Sequence, residues 1–430
     1  MKITPIFHPA VPVFVAPVNA AAQRWGAYAI PWMWREPSGK LVVCVNGTPD
    51  NCDISYGFST KDLYFVSEDE GKSFSPADPE GIRVPSFTGV EPPYLPLSDG
   101  RVVAVHLCEG NLPIGDVPVQ KRFVGVNREV LRHTFRHSDI PKECRAIEME
   151  IYEKDGTRHC RPIEVNFPSL EISTFVASRS TNGKETICDE FVPVSEVRYQ
   201  PYQSIHSLLE LADGSIAGMM CGQSPKVSDR EWEMVYMVVS EDGGKTFSPR
   251  AAITTEEDPP RFGYSYENSM TVAPNGDLLV VMRTEHCVPL EIEPSTDAMF
   301  SRSTDGGYTW SRPVPIADSC VTPHLITLKN GVIVFLYGRP GIHMKFSTDS
   351  GHTWSEPVTL IGKTLEEHRA RGDSYMDCKF WDMETYANTF VSVVDEETFA
   401  VCYTDVKYKT GDGLDHKATL VRRITVRAEE

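Results

Sequence analysis

Short apolar runs, each led in by a polar turn, recur along this chain. Ser38-Gly39-Lys40 precedes Leu41-Val42-Val43, Asp99-Gly100-Arg101 precedes Val102-Val103-Ala104-Val105, and Asp213-Gly214-Ser215 precedes Ile216-Ala217. Asn275-Gly276-Asp277 leads into Leu278-Leu279, and Asn330-Gly331 into Val332-Ile333-Val334. Val394-Asp395-Glu396-Glu397-Thr398-Phe399-Ala400-Val401 is a degenerate sixth copy. A glycine turn feeding a β-branched run predicts a hairpin and a strand. The turns fall at 39, 100, 214, 276, 331 and about 396, so most steps are about 55–65 residues and one is about 114. A period of that length, holding several strands per unit, predicts an all-β, six-bladed propeller with four-stranded antiparallel blades rather than a sandwich or a solenoid.

A second pattern keeps the same period. Ser67-Glu68-Asp69-Glu70-Gly71-Lys72-Ser73-Phe74, Ser240-Glu241-Asp242-Gly243-Gly244-Lys245-Thr246-Phe247, Ser303-Thr304-Asp305-Gly306-Gly307-Tyr308-Thr309-Trp310 and Ser347-Thr348-Asp349-Ser350-Gly351-His352-Thr353-Trp354 all read Ser-x-Asp-x-Gly-x-Ser/Thr-aromatic, and Ser follows each. The Asp carboxylate is expected to accept from nearby backbone N–H groups, the Gly to take positive φ, and the aromatic to plug the turn.

Blade one is expected over about 24–78, blade three over 201–250, blade four over 262–315, blade five over 319–360 and blade six over 372–428. Blade two starts near Val90 and carries the long step, which predicts an inserted hairpin region within 110–200: Ala146–Tyr152 and Arg161–Val165, joined by Lys154-Asp155-Gly156-Thr157. Ile3–Val15 is expected to pair with the run Leu420–Val426 and close the ring, because an open propeller would leave two bare sheet edges. Leu365–Arg371 is the one helix-like stretch of note. With no linker or low-complexity tract, residues 1–430 are expected to form one domain.

Charge narrows the partners. Lys plus Arg number 42 against 60 Asp plus Glu, a net charge of −18, which disfavours nucleic acid and anionic membrane surfaces. No apolar run reaches bilayer length, and the start lacks a signal-peptide core. The 11 Cys are scattered with no C-x-x-C pair and read as buried thiols in a reducing compartment, so a cytoplasmic location is expected. No metal and no cofactor motif is present, and the oligomeric state is left open.

The repeated boxes on six blades resemble those of the sialidase (neuraminidase) superfamily, the Asp-box or BNR repeat proteins. That resemblance covers nearly the whole chain outside 110–200. It implies an exo-glycosidase acting on a glycoside with an acidic sugar, by a retaining mechanism with a Tyr/Glu nucleophile. Glu267-Asn268-Ser269, Gly276 and Met282-Arg283 match the family's blade-four pattern, which implies Glu267 as base to the nucleophile and Arg283 on a substrate carboxylate. Arg339, eight residues before Ser347, falls where a second carboxylate arginine is expected. Tyr386 is the implied nucleophile, with Tyr375 as rival, and Asp53 the acid/base, with Asp50 as alternative. Glu91, His206 and His324 are expected to face the funnel, and Trp32 and Trp34 to offer a stacking face for sugar. A metal held by His206 and His324 is the lesser reading beside satisfied core histidines.

The chain departs from the family at one position. Ala29-Ile30-Pro31 stands where the family has Arg-Ile-Pro, so the first carboxylate arginine is missing, and Arg24 or Arg35 are the cations available to replace it. Losing one fork costs on the order of 2–4 kcal/mol toward an anionic substrate. Two other readings therefore stand beside the glycosidase: a carbohydrate-binding propeller without turnover, and another polysaccharide-active enzyme, such as a lyase, using His206 or His324.

Overall fold

The computed structural model describes residues 2–16, 28, 30–36, 38–45, 63–78, 94–98, 102–107, 113–114, 117–118, 144–154, 157–167, 174–181, 184–193, 206–222, 234–243, 247–254, 264–284, 297–318, 320–373, 384–387 and 389–429. Almost all of it is strand. Six four-stranded antiparallel sheets follow one another along the described chain. Sheet one holds Pro31–Arg35, Leu41–Val45, Leu63–Ser67 and Ser75–Ala77. Sheet three begins with His206–Glu210 and sheet five with Val321–Thr327. Sheet four holds Tyr264–Val272, Leu278–Thr284, Ala298–Ser303 and Val314–Ala317. Sheet six takes Phe390–Val393, Thr398–Lys409 and Asp415–Glu429, and its outer strand is Lys2–Val15 from the other end of the chain, paired from Lys2↔Glu429 to Val15↔Ala418.

The second strand of sheet four shows why the sequence has continuous apolar runs where alternation would be expected of a surface sheet. Leu278, Val280 and Met282 pack on Met219, Val235 and Met237 of sheet three. The intervening Leu279 and Val281 pack on Phe335 and Tyr337 of sheet five. Both faces are therefore buried, and every position along Leu278–Thr284 is closed to water. Sheets five and six meet through Val334, Leu336 and Phe346 against Phe399, Val401 and Ile424. Sheets six and one meet through Phe390 and Val421 against Met33 and Val43. Two-sided burial of β-branched and long aliphatic residues is what makes these strands cohere.

The boxes turn the third strand into the fourth. Asp349 Oδ1 accepts from Ser347 Oγ at 2.7 Å, His352 N at 3.1 Å and Thr353 N at 2.9 Å, and Oδ2 accepts from Thr353 Oγ1 at 2.6 Å. Asp69 and Asp305 repeat this geometry. Gly351 sits at φ +80, where a Cβ would meet Leu279 Cδ1 of sheet four at 2.7 Å. Gly307 would likewise strike Met237 of sheet three. The boxes at Asp305 and Asp349 thus lock their own turns and lean on the preceding sheet.

Sheet two (Tyr94–Pro96, Val102–Leu107, Thr174–Thr181 and Lys184–Pro193) is interrupted between its second and third strands. The inserted hairpin runs over Cys144–Lys154 and Thr157–Phe167 and closes at Lys154↔Thr157, as the turn residues Asp155-Gly156 suggest. The helix Leu365–Ala370 is fixed at its start by a capping box between Thr364 and Glu367. No described helix is long and apolar enough to cross a membrane.

Candidate functional site

In sheets one, four and five the glycine turn and the box lie at one end of the strands. The candidate residues lie at the other end, where first strands begin and second strands finish. Register places them there: Leu278 pairs with Ser303 at the box end, whereas Arg283 pairs with Ala298 at the far end. Glu267 lies where the ladder of sheet four is irregular, between Tyr264 and Asn268. Arg339 follows directly on the second strand of sheet five, and Tyr386 precedes the first strand of sheet six.

These four residues from three consecutive sheets are joined by one run of bonds. The Arg283 guanidinium donates to Glu267 Oε2, and the same oxygen accepts from Thr322 N at 3.0 Å. Thr322 Oγ1 donates to the carbonyl of Ala387 at 2.8 Å and accepts from Thr389 N at 3.1 Å. Arg339 then donates to the Tyr386 carbonyl through Nε at 3.0 Å and Nη2 at 2.6 Å. Glu267 is 7% exposed, Arg283 5% and Arg339 6%. Burying an ion pair is tolerated only because further hydrogen bonds complete it, and here the backbone of Thr322 does so. Thr322 and Ala387 both adopt positive φ (42 and 57), so the chain is bent at the two points that carry the bonds across.

Tyr386 is 1% exposed, packed on Ile30 and Val406, with Lys417 Nζ 5.5 Å from its ring centroid. His324 is buried, and its Nε2 lies 2.6 Å from the Thr389 carbonyl. Burial drives its pKa down to about 4, against smaller opposing pulls from Thr389 and Glu267, so it is neutral at pH 7. Cys320 lies near the same ion pair, and burial holds its thiol protonated.

Sequence reasoning assigned some side chains to the wrong end. Trp34 is 2% exposed and packs with Val42, Cys44 and Tyr64, and its partner Val42 places it beside the Gly39 turn. It offers no stacking face at the candidate end, because two-sided burial claims it for the core. Arg35 does not replace the missing arginine: it holds Glu70 at 2.6 Å, and the carbonyls of Gly39 and Val393, at the box end. His324 ties sheet five to the start of sheet six through the Thr389 carbonyl. Asp53, Asp50, Glu91, Tyr375, Ala29 and Arg24 lie outside the described residues, as does the side chain of His206 in its strand. Among the described residues no three His, Cys, Asp or Glu gather as a metal site.

Sequence reasoning also missed a set of stitches. Ser207, Ser269 and His324 each stand seven residues before a turn glycine. Ser207 Oγ accepts from Met270 N at 2.9 Å, Ser269 Oγ from Leu325 N at 2.9 Å, and His324 meets Thr389, so each joins its sheet to the next. Aligning the copies at Gly214, Gly276 and Gly331 on their turn glycines, rather than on the boxes, exposes that column.

Comparisons with known proteins bear on the fold. Residues 208–368 match the family model of the BNR repeat-like domain. A comparison with curated proteins finds no match for the chain. Among solved structures, a protein of unknown function from Dyadobacter fermentans is 15% identical, with a TM-score of 0.55 and coverage of 98% of this chain and 99% of that one. The alpha-L-arabinanase of Penicillium chrysogenum, complexed with arabinobiose, is 11% identical, with a TM-score of 0.50 over 96% and 98% of the two chains. The NanB sialidase of Streptococcus pneumoniae is 12% identical, with a TM-score of 0.50 over 97% of this chain and 70% of that one. Identities this low speak for the fold alone. The chain carries a BNR repeat-like domain over 208–368, in keeping with the sialidase/BNR superfamily that its boxes resemble.

Proposed function

We propose that the six sheets are the blades of one closed propeller forming a single domain, sealed by Lys2–Val15, and that it is a glycosidase-like protein acting on carbohydrate at the strand ends around Glu267. The observation that carries this reading is the buried Glu267–Arg283 pair, linked through Thr322 to Arg339 and Tyr386. A carboxylate fixed in a poorly solvated place, aimed by an arginine and a backbone N–H, suits stabilisation of an oxocarbenium-like transition state or general base catalysis. In the finer scheme the protein is a retaining exo-glycosidase: Glu267 takes the phenol proton of Tyr386, the phenolate attacks the anomeric carbon, and Asp53 protonates the leaving oxygen. The burial of Tyr386 favours the second reading, a propeller that binds sugar without turning it over. The charge of −18 suits a glycan partner better than a nucleic acid, and the buried thiols Cys44, Cys320 and Cys402 suit a cytoplasmic setting.

The test is a panel of fluorogenic glycosides on the full chain and on Glu267→Gln. Turnover reduced by about 10²–10⁴-fold in the variant is the expected result. Equal turnover by both would remove Glu267 from the chemistry. Binding without turnover in both would establish the sugar-binding reading.

A further inference from the structure

Resting on the reading that places Arg339 and Tyr386 in the site, we propose that His343 is a positioning residue for it. Its imidazole latches the turn Arg339-Pro340-Gly341, so that Arg339 meets the backbone of Tyr386. The turn joins the second and third strands of sheet five, between the paired residues Gly338 and Ile342.

His343 stands on the third strand, opposite Tyr337 on one side and Thr359 on the other, and is 1% exposed. Its Nε2 lies 3.1 Å from the Pro340 carbonyl and its Nδ1 3.0 Å from Thr359 Oγ1. A carbonyl only accepts, so Nε2 carries the proton and donates it. Burial lowers the pKa of the ring against smaller upward pulls from the Pro340 and Lys363 carbonyls and from Asp318 and Glu367, so the ring is neutral at pH 7. Nδ1 of the neutral ring then accepts from the Thr359 hydroxyl, and the tautomer is fixed at both nitrogens.

The turn is shaped to that ring. Gly341 sits at φ +64, and a Cβ there would strike His343 Nε2 at 2.7 Å and the carbonyls of Lys363 and Ile361 at 2.8 and 2.9 Å. A Cβ on Gly338 would meet Ala387 Cβ, next to Tyr386, at 2.7 Å. The two glycines let the turn fit between the imidazole and the start of sheet six. Arg339 stands between them, 6% exposed, and donates through Nε and Nη2 to the Tyr386 carbonyl at 3.0 and 2.6 Å. One path therefore runs from Thr359 through His343, Pro340 and Arg339 to the backbone of the implied nucleophile. A guanidinium is aimed only as well as the backbone beneath it is held, and a shift of about 1 Å at a site costs on the order of 10²-fold in rate.

The experiment compares the full chain with His343→Gln, His343→Leu and Thr359→Val, on the fluorogenic glycoside panel and by hydrogen exchange of the segments 338–343 and 384–387. Glutamine keeps an N–H where Nε2 stands, and leucine fills the space without one. On a probe that the unmodified chain turns over or binds, His343→Leu is expected to lower kcat/KM or affinity by about 10–100-fold, and His343→Gln to stay within about threefold. Both segments are expected to exchange faster in His343→Leu and to stay protected in His343→Gln. Equal losses in the two variants, no change in His343→Leu, or faster exchange at 338–343 with 384–387 unchanged overturns the assignment. Should His343→Leu fail to fold, Thr359→Val decides: faster exchange of both segments supports the latch, and exchange like that of the unmodified chain overturns it. Silence from every glycoside removes the carbohydrate reading, while the exchange result still decides whether His343 holds Arg339 against Tyr386.

Discussion

At the scale of single residues, the box aspartates show how much a short polar motif can fix. The Ser73 hydroxyl and further donors hold the Asp69 carboxyl at about 2, the Thr309 hydroxyl leads the same effect at Asp305, and at Asp349 burial opposes the shift but the Thr353 and Ser347 bonds outweigh it to reach about 2. A carboxyl with a folded pKa below its unfolded value of 3.8 stabilises the fold above that value, and the contribution is lost as pH falls toward 2. The urea midpoint is therefore expected to drop between about pH 4 and pH 2. Replacing Asp69, Asp305 and Asp349 together by Asn should flatten that drop, and an unchanged slope would show that the boxes do not set acid stability. These aspartates were legible in the sequence because their partners lie within four residues. The ion pair of Glu267 and Arg283 was not, because the resemblance implied Glu267 as base to the nucleophile and Arg283 as partner to a substrate carboxylate.

Elements differ in how far local sequence governs them. The glycine turns at Gly276 and Gly351 look alike along the chain, with φ of +89 and +80. A Cβ at Gly276 meets nothing within 4 Å, whereas at Gly351 it runs into Leu279 of the neighbouring sheet. Gly276→Ala is expected to cost about 1–2 kcal/mol, the left-handed strain alone. Gly351→Ala should cost about 1–3 kcal/mol more, because the box must lift off sheet four. Equal losses in denaturant unfolding would show that the contact between sheets is slack. The inserted hairpin was legible from its alternation and its Asp155-Gly156 turn, while the stitches of Ser207 and Ser269 were not, since a lone hydroxyl in a strand has no local signature.

For the molecule as a whole, the long pairing of Lys2–Val15 with Asp415–Glu429 joins the two ends of the chain within one sheet. Removing residues 2–15 would bare a long strand edge in the last sheet. Loss of cooperative unfolding, or aggregation on a sizing column, is expected, and a truncated chain that melts like the intact one would refute the strand's sealing role. The sequence by itself determined the repeat: six turn-and-strand copies, four boxes, the hairpin within 110–200 and the partnership of the chain ends, because hydrophobic period and glycine turns are local properties. Only the tertiary structure decided what faces what. Whether Trp34 stacks on sugar or fills a core, and whether Arg339 meets substrate or a backbone carbonyl, depends on contacts between sheets. Such contacts join residues far apart along the chain: Arg339 reaches Tyr386, 47 positions on, and Thr322 reaches Ala387, 65 positions on. No local pattern encodes those distances, so the site's chemistry follows from packing.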